Sequence, residues 1–234
     1  CLHGGFLRYN YLMYDAECAT SQDDVSVSFS RVSPDGEQGF PGNLTLTITY
    51  TWNDANELMI EYNAVSDADT ILNITNHSYF NIGCGGQAAG DVLGAQVQIA
   101  SAKYTPINEK RLPTGEICDV AGTAMDFREF HDIGSRIGED DANVQTVSGY
   151  DHNYILPGNP GEICYAAAVR DPGSRRIVEV FTDMPGVQLY TAKELVEQGG
   201  KGGITYGNFG GLCFETQQYP NGINEPKFPS PILK

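Results

Sequence analysis

Apolar and polar residues alternate with a period of two along most of this chain, the signature of strands with one face buried. The clearest run sets Leu44, Leu46, Ile48 and Tyr50 against Thr45, Thr47, Thr49 and Thr51, β-branched throughout on the polar side. Asn53-Asp54-Ala55-Asn56 then supplies turn residues, so a second strand over 58–64 completes a hairpin. Val25, Val27 and Phe29 alternate with serines, and Ala95 to Ile99 alternates again. Residues 163–170 and 176–182 flank Asp171-Pro172-Gly173-Ser174-Arg175, a second hairpin signal. Further strands are predicted over 70–76, 187–191 and 212–216. Residues 104–160 are less regular, with loops at Pro106 and Pro113 and a short helix predicted near 127–138. About ten strands separated by turn residues, with helical periodicity almost absent, predict an all-β fold. The expected architecture is a large antiparallel β-sandwich or related barrel, in a single domain over residues 1–234.

Composition narrows the partners. A hydrophobic content of 41% is enough for a sizeable core. Thirty acidic against 14 basic side chains leave a net charge of −16, a field that repels phosphate backbones and anionic membrane surfaces. Neither nucleic acid nor a membrane is therefore expected as a partner, and no apolar run approaches the ~18 residues of a membrane-spanning helix. The six cysteines, Cys1, Cys18, Cys84, Cys118, Cys164 and Cys213, are scattered without a CxxC pair. That pattern predicts reduced thiols and a cytoplasmic protein. Sequons at Asn43, Asn73 and Asn76 carry little weight, since two fall in predicted strand.

Four places concentrate polar or ionisable groups at strand ends or beside glycines: His3 before Gly4-Gly5, His77 between Asn76 and Ser78, the pair Asp151-His152, and Glu215. Leu212 and Phe214 take one face of their strand, and Glu215 shares the other with Cys213. A carboxylate so placed is partly buried, which raises its pKa and suits it to act as a base near neutral pH. Each residue also has a plainly structural reading: a loop histidine bonded to a carbonyl, an Asx-type turn at Asp151, a solvated strand glutamate. His131 has no assignment. No HxxxH, HxH or HExxH spacing occurs, so no metal is expected. A GxSxG elbow and a phosphate-cradling loop are lacking too, and no cofactor is expected.

Leu2-His3-Gly4-Gly5, Ser33-Pro34-Asp35-Gly36-Glu37, Asn76-His77-Ser78-Tyr79-Phe80-Asn81, Gly149-Tyr150-Asp151-His152-Asn153, Pro185-Gly186-Val187-Gln188-Leu189-Tyr190-Thr191 and Phe214-Glu215-Thr216-Gln217 stand in the order found in aldose 1-epimerases, the galactose mutarotases. The resemblance runs along essentially the whole chain. It implies a supersandwich of β-sheets with a sugar cleft, and interconversion of the α and β anomers of a free aldose such as galactose or glucose. Under it, Glu215 resembles the general base at the anomeric hydroxyl and His77 the general acid at the ring oxygen. His3, Asp151 and Gln188 resemble sugar-binding residues, and Tyr79, Phe80 and Tyr150 would offer aromatic faces to the pyranose. Family members carry further sequence before the Leu-His-Gly-Gly string, including an arginine of the sugar site, so the chain is expected to be a fragment lacking strands at both ends. A catalytically inactive sugar-binding or regulatory relative is the alternative. A glycoside hydrolase would need two carboxylates astride a scissile bond, a role Glu215 and Asp151 could mimic.

Overall fold

The computed structural model describes residues 2–83, 90–159, 161–196 and 199–234. Contacts divide the chain into two compact units, Cys1–Leu72 with Pro231–Lys234, and Asn73–Ser230.

In the first unit, strands β1 (Asp15–Thr20), β2 (Asp24–Ser33), β3 (Leu44–Asn53) and β4 (Leu58–Ser66) form an antiparallel sheet in chain order. β3 and β4 are the threonine-rich hairpin predicted from alternation, and Leu44 and Leu46 are its buried residues. Its turn is held by Asn53 Oδ1, which accepts from the Ala55 and Glu57 amides at 3.0 Å. β1, exposed at every position, carries no apolar alternation and was not legible. The Ser33-Pro34-Asp35-Gly36-Glu37 string is a structural clasp here. Arg31 donates twice to the Glu37 carboxylate at 2.8 and 2.9 Å, and Ser33 Oγ adds a third bond at 2.5 Å. The guanidinium holds the Glu37 carboxyl below the usual carboxylate range.

β5 (Thr70–Ile71) stops well short of the strand predicted over 70–76. The physical reason lies two residues on: Asn73 spends its side chain on the Gln218 backbone, donating to its carbonyl at 3.0 Å and accepting its amide at 2.9 Å. A side chain that bonds backbone in this way competes with a sheet ladder. Residues 72–79 therefore run without regular structure, and Ile71, Leu72 and Ile74 are only partly buried.

The second unit contains β6 (Gln96–Ile99), β7 (Lys103–Tyr104), β8 (Cys118–Asp119), β9 (His131–Asp132), β10 (Asp151–Ile155), β11 (Cys164–Arg170), β12 (Ile177–Thr182), β13 (Gly186–Tyr190) and β14 (Cys213–Gln217). β15 (Ile232–Leu233) belongs to the first unit and pairs with β5. One sheet has the order β14-β13-β10-β7-β8 and another β12-β11-β6-β9, antiparallel at every pairing. The predicted hairpin is the β11–β12 pair. Val97, Ile99, Ala167 and Val169 of the second sheet share one core cluster with Tyr154, Val187, Leu189 and Phe214 of the first. The all-β antiparallel class read from alternation is the class observed.

The stretch read as irregular hides β10, the middle strand of its sheet. It also hides helix α2 (Ala142–Val147), which follows α1 (Ile133–Ile137), the short helix predicted near 127–138. α2 starts on Asp141, whose carboxylate accepts the Asn143 and Val144 amides at 2.9 and 3.4 Å, an N-cap of the usual kind. Cys18, Cys118, Cys164 and Cys213 are unbridged thiols among the described residues. No described helix is long and apolar enough to cross a membrane.

Candidate active site

Strand parity builds the site. The registers of β10, β13 and β14 align Asp151 with Tyr190 and Cys213, and Asn153 with Gln188 and Glu215. Directly opposed residues in antiparallel strands share a face, and so do residues two apart. These six side chains therefore form two adjacent rows on one face. The opposite face carries His152, Tyr154, Val187 and Leu189, all without solvent exposure. Across the rows Gln188 Nε2 donates to Asp151 Oδ1 at 2.7 Å. Asn153 lies buried against Gly186, where an added Cβ would collide with its amide oxygen and with the Tyr219 ring.

His77 reaches this face from the irregular segment. The Phe80 amide donates to the Leu212 carbonyl at 2.7 Å and the Leu212 amide returns the bond at 3.0 Å, docking the chain beside the start of β14. Gly211 permits the approach, because a Cβ there would lie 3.2 Å from Tyr79 Cβ and 3.4 Å from the Phe80 carbonyl. Asn81 Nδ2 adds bonds to the Gly90 and Gly210 carbonyls, both at 3.1 Å. Thus held, the imidazole sets Nε2 3.4 Å from Glu215 Oε1 and Nδ1 3.3 Å from Cys213 Sγ. Tyr79 stacks on the ring at 5.1 Å and Tyr190 meets it edge-on at 5.8 Å. The His77 side chain is 34% exposed and that of Glu215 12%.

Burial first, and the negative charge of Asp151 second, raise the Glu215 carboxyl to about 8. The same causes, with Glu215 added, push the Cys213 thiol far above its ordinary range, so it carries its hydrogen. An S–H group is both a weak donor and a weak acceptor. It can donate to Nδ1 of a neutral imidazole or accept from Nδ1–H of a charged one, and so orients the ring without fixing its charge. Nε2 is left facing the carboxylate. A proton carrier and a proton acceptor then stand side by side at the edge of a polar floor.

The other candidates fall out differently. His152, neighbour of Asp151 in sequence, points into the core, where burial lowers its pKa to about 4. Its Nδ1 accepts the Asp151 amide at 3.1 Å. Tyr150, expected to offer a face to a sugar, is 1% exposed and donates its hydroxyl to the Ala124 carbonyl at 3.0 Å; it is a core residue. His3, in the first unit, is an exposed residue of the turn Leu2–Gly4 with φ of 58°. Gly4 and Gly5 follow at φ of 83° and 110°, beside a Gln38 amide that accepts from the Phe6 and Leu7 backbone. Sequence reasoning assigned no part to Cys213, Tyr190 or Asn153. Their parity with Glu215 and Gln188 was the available signal, once the strands are in register.

Fold and site together define an all-β protein with an imidazole–carboxylate pair set on a polar sheet face. The sequence pattern of the family described as Aldose 1-epimerase matches residues 1–234, and the chain belongs to that family. It is 40% identical over 234 residues to the galactose mutarotase of Mus musculus, covering all of this chain and 65% of that one. It is 34% identical over 230 residues to the aldose 1-epimerase of Escherichia coli strain K12, covering 98% and 64%. The crystal structure of galactose 1-epimerase from Lactobacillus acidophilus NCFM superposes with a TM-score of 0.81 at 31% identity, over 94% of this chain and 61% of that one. The chain thus spans about two thirds of the length of the relatives it matches.

Proposed function

We infer that the protein interconverts the α and β anomers of a free aldose, galactose or glucose, by acid–base ring opening and closure. The observation that carries this reading is the 3.4 Å approach of His77 Nε2 to Glu215 Oε1. The anomeric hydroxyl oxygen and the ring oxygen are bonded to the same carbon, so a base and an acid at this spacing can serve both. Glu215, when ionised, takes the proton of the anomeric hydroxyl. As the C1–O1 double bond forms and the C1–O5 bond breaks, O5 takes a proton from His77 Nε2. The aldehyde turns about the C1–C2 bond. Closure on its other face returns the O5 proton to His77 and the Glu215 proton to O1, and every proton is restored.

A base whose conjugate acid titrates near working pH is the efficient kind. Perturbed groups of this type cluster at functional sites, which supports the pairing. Asp151 and Gln188, coupled to each other at 2.7 Å, suit the sugar hydroxyls, and the half-exposed Tyr79 suits the apolar ring face. His3 is included as a sugar contact on family resemblance. Names of the relatives, galactose mutarotase and aldose 1-epimerase, support the reaction and the sugar.

Polarimetry of freshly dissolved α-D-galactose and α-D-glucose tests this. The protein is expected to speed the approach to equilibrium rotation, and Glu215→Gln and His77→Asn each to lose at least ~100-fold, the lower range for an acid–base group. Rates equal to buffer alone with folded protein would refute the reading.

A further inference from the structure

The fold, and no metal-ligand spacing in the sequence, brings His77, Cys213 and Glu215 together. Cys213 and Glu215 share a face of β14 by parity, and the Phe80–Leu212 bridge lowers the imidazole onto them. One ligand atom from each of the three lies within 4.8 Å of the others. A tetrahedral zinc ion with bonds of ~2.0–2.3 Å holds its ligand atoms ~3.4–3.6 Å apart. The imidazole already stands 3.3 Å from the sulfur and 3.4 Å from the carboxylate oxygen by its two nitrogens. The two contacts use opposite nitrogens, so a shared ion requires the imidazole to turn until one nitrogen faces both partners, with rotation of the carboxylate toward it.

We propose that this trio is a binding site for a thiophilic divalent cation, zinc above all, which occupies the polar sheet face in place of sugar. One nitrogen, one sulfur and one carboxylate oxygen are a donor set for zinc, whereas magnesium and calcium take oxygen ligands. Three protein ligands leave a fourth position, and the partly exposed imidazole opens it to water. Asp151, one row over from Glu215 and aligned with Cys213, adds negative field. The net charge of −16 draws cations to the protein as a whole. Binding releases to solvent the thiol proton and, where the raised Glu215 carboxyl still holds one, the carboxyl proton, since thiolate, carboxylate and neutral imidazole are the ligands; one bond each forms to sulfur, nitrogen and oxygen. On the reading of the preceding section, an occupied trio withdraws His77 and Glu215 from catalysis, so the cation is a reversible inhibitor that competes with sugar.

Cobalt(II) alone, titrated into the sugar-free protein, gives a readout that does not depend on activity. One equivalent is expected to produce tetrahedral visible bands and a thiolate-to-cobalt charge-transfer band, both displaced by zinc and absent with magnesium. Cys213→Ser removes the charge-transfer band and weakens zinc binding at least ~100-fold, the upper end of what even an outer-shell change costs. His77→Gln keeps the thiol and weakens zinc binding as well, which covers the case in which the serine variant fails to fold. A charge-transfer band that persists in Cys213→Ser, arising from any of the five other cysteines, overturns the assignment, as does the absence of any such band in the unmodified protein. Competition by galactose is read separately: cobalt binding indifferent to saturating galactose would leave no inhibitory role.

Discussion

Two histidines, each directly after an Asn or Asp, end in opposite surroundings. His77 rides an irregular segment, one third exposed, between a thiol and a carboxylate. His152 sits in the middle strand of a sheet, wholly buried and held neutral, its ring bonded only to the amide beside it among the bonds described. Residue type and neighbours in sequence do not separate them. Strand phase does: Asp151 looks to the polar rows, so His152, one residue on, must look to the core. His77 escapes this constraint because its segment left the ladder when Asn73 clasped Gln218.

The widest gap between the two should be catalytic. His77→Asn is expected to lose at least ~100-fold in mutarotation, while His152→Leu, measured per folded molecule, keeps its rate within ~3-fold because the ring faces away from the rows. A second gap is in stability. A folded pKa of about 4 against 6.5 for the free side chain means the unfolded chain binds the extra proton first. The stabilisation is fully present above pH ~6.5 and is lost as pH falls toward ~4, about 3 kcal/mol in all. Urea unfolding of the wild type between pH 7 and 4.5 should therefore fall more steeply than that of His152→Leu. Identical pH slopes would place His152 in water.

Smaller effects probe the polar side alone. Asp151→Asn should raise KM at least ~10-fold with a lesser change in kcat, since hydrogen bonds to a charged group contribute ~1.5–3 kcal/mol. Gly211→Ala asks Tyr79 and Phe80 to retreat by a few tenths of an ångström. It should slow mutarotation by less than ~10-fold, as misplacement by a full ångström costs ~100-fold. An unchanged rate would mean that the approach of the His77 segment to β14 is not critical.

Much of this was legible and some was not, for physical reasons. β3 announces itself because one face is apolar and the other threonine, and β11 and β12 because turn residues stand between two β-prone runs. β10 does not, since Asp151, His152, Asn153 and Tyr154 put a polar atom on both faces, and only the core side reveals which of them are buried. Glu215 and Cys213 were readable as neighbours from alternation in one strand. The partner that faces them comes from 136 residues earlier in the chain, through a backbone bridge at Phe80 that no local pattern encodes. Tyr150 illustrates the opposite error: an aromatic next to a site residue in sequence, yet folded into the core.

Whether His77 and Glu215 act as one unit is decided in polarimetry by the rates of Glu215→Gln, His77→Asn and the double variant together. Groups that work as a pair are not additive, so the double variant is predicted to be no more than ~3-fold slower than the poorer single variant. Losses that multiply, or a double variant as fast as wild type, would contradict it.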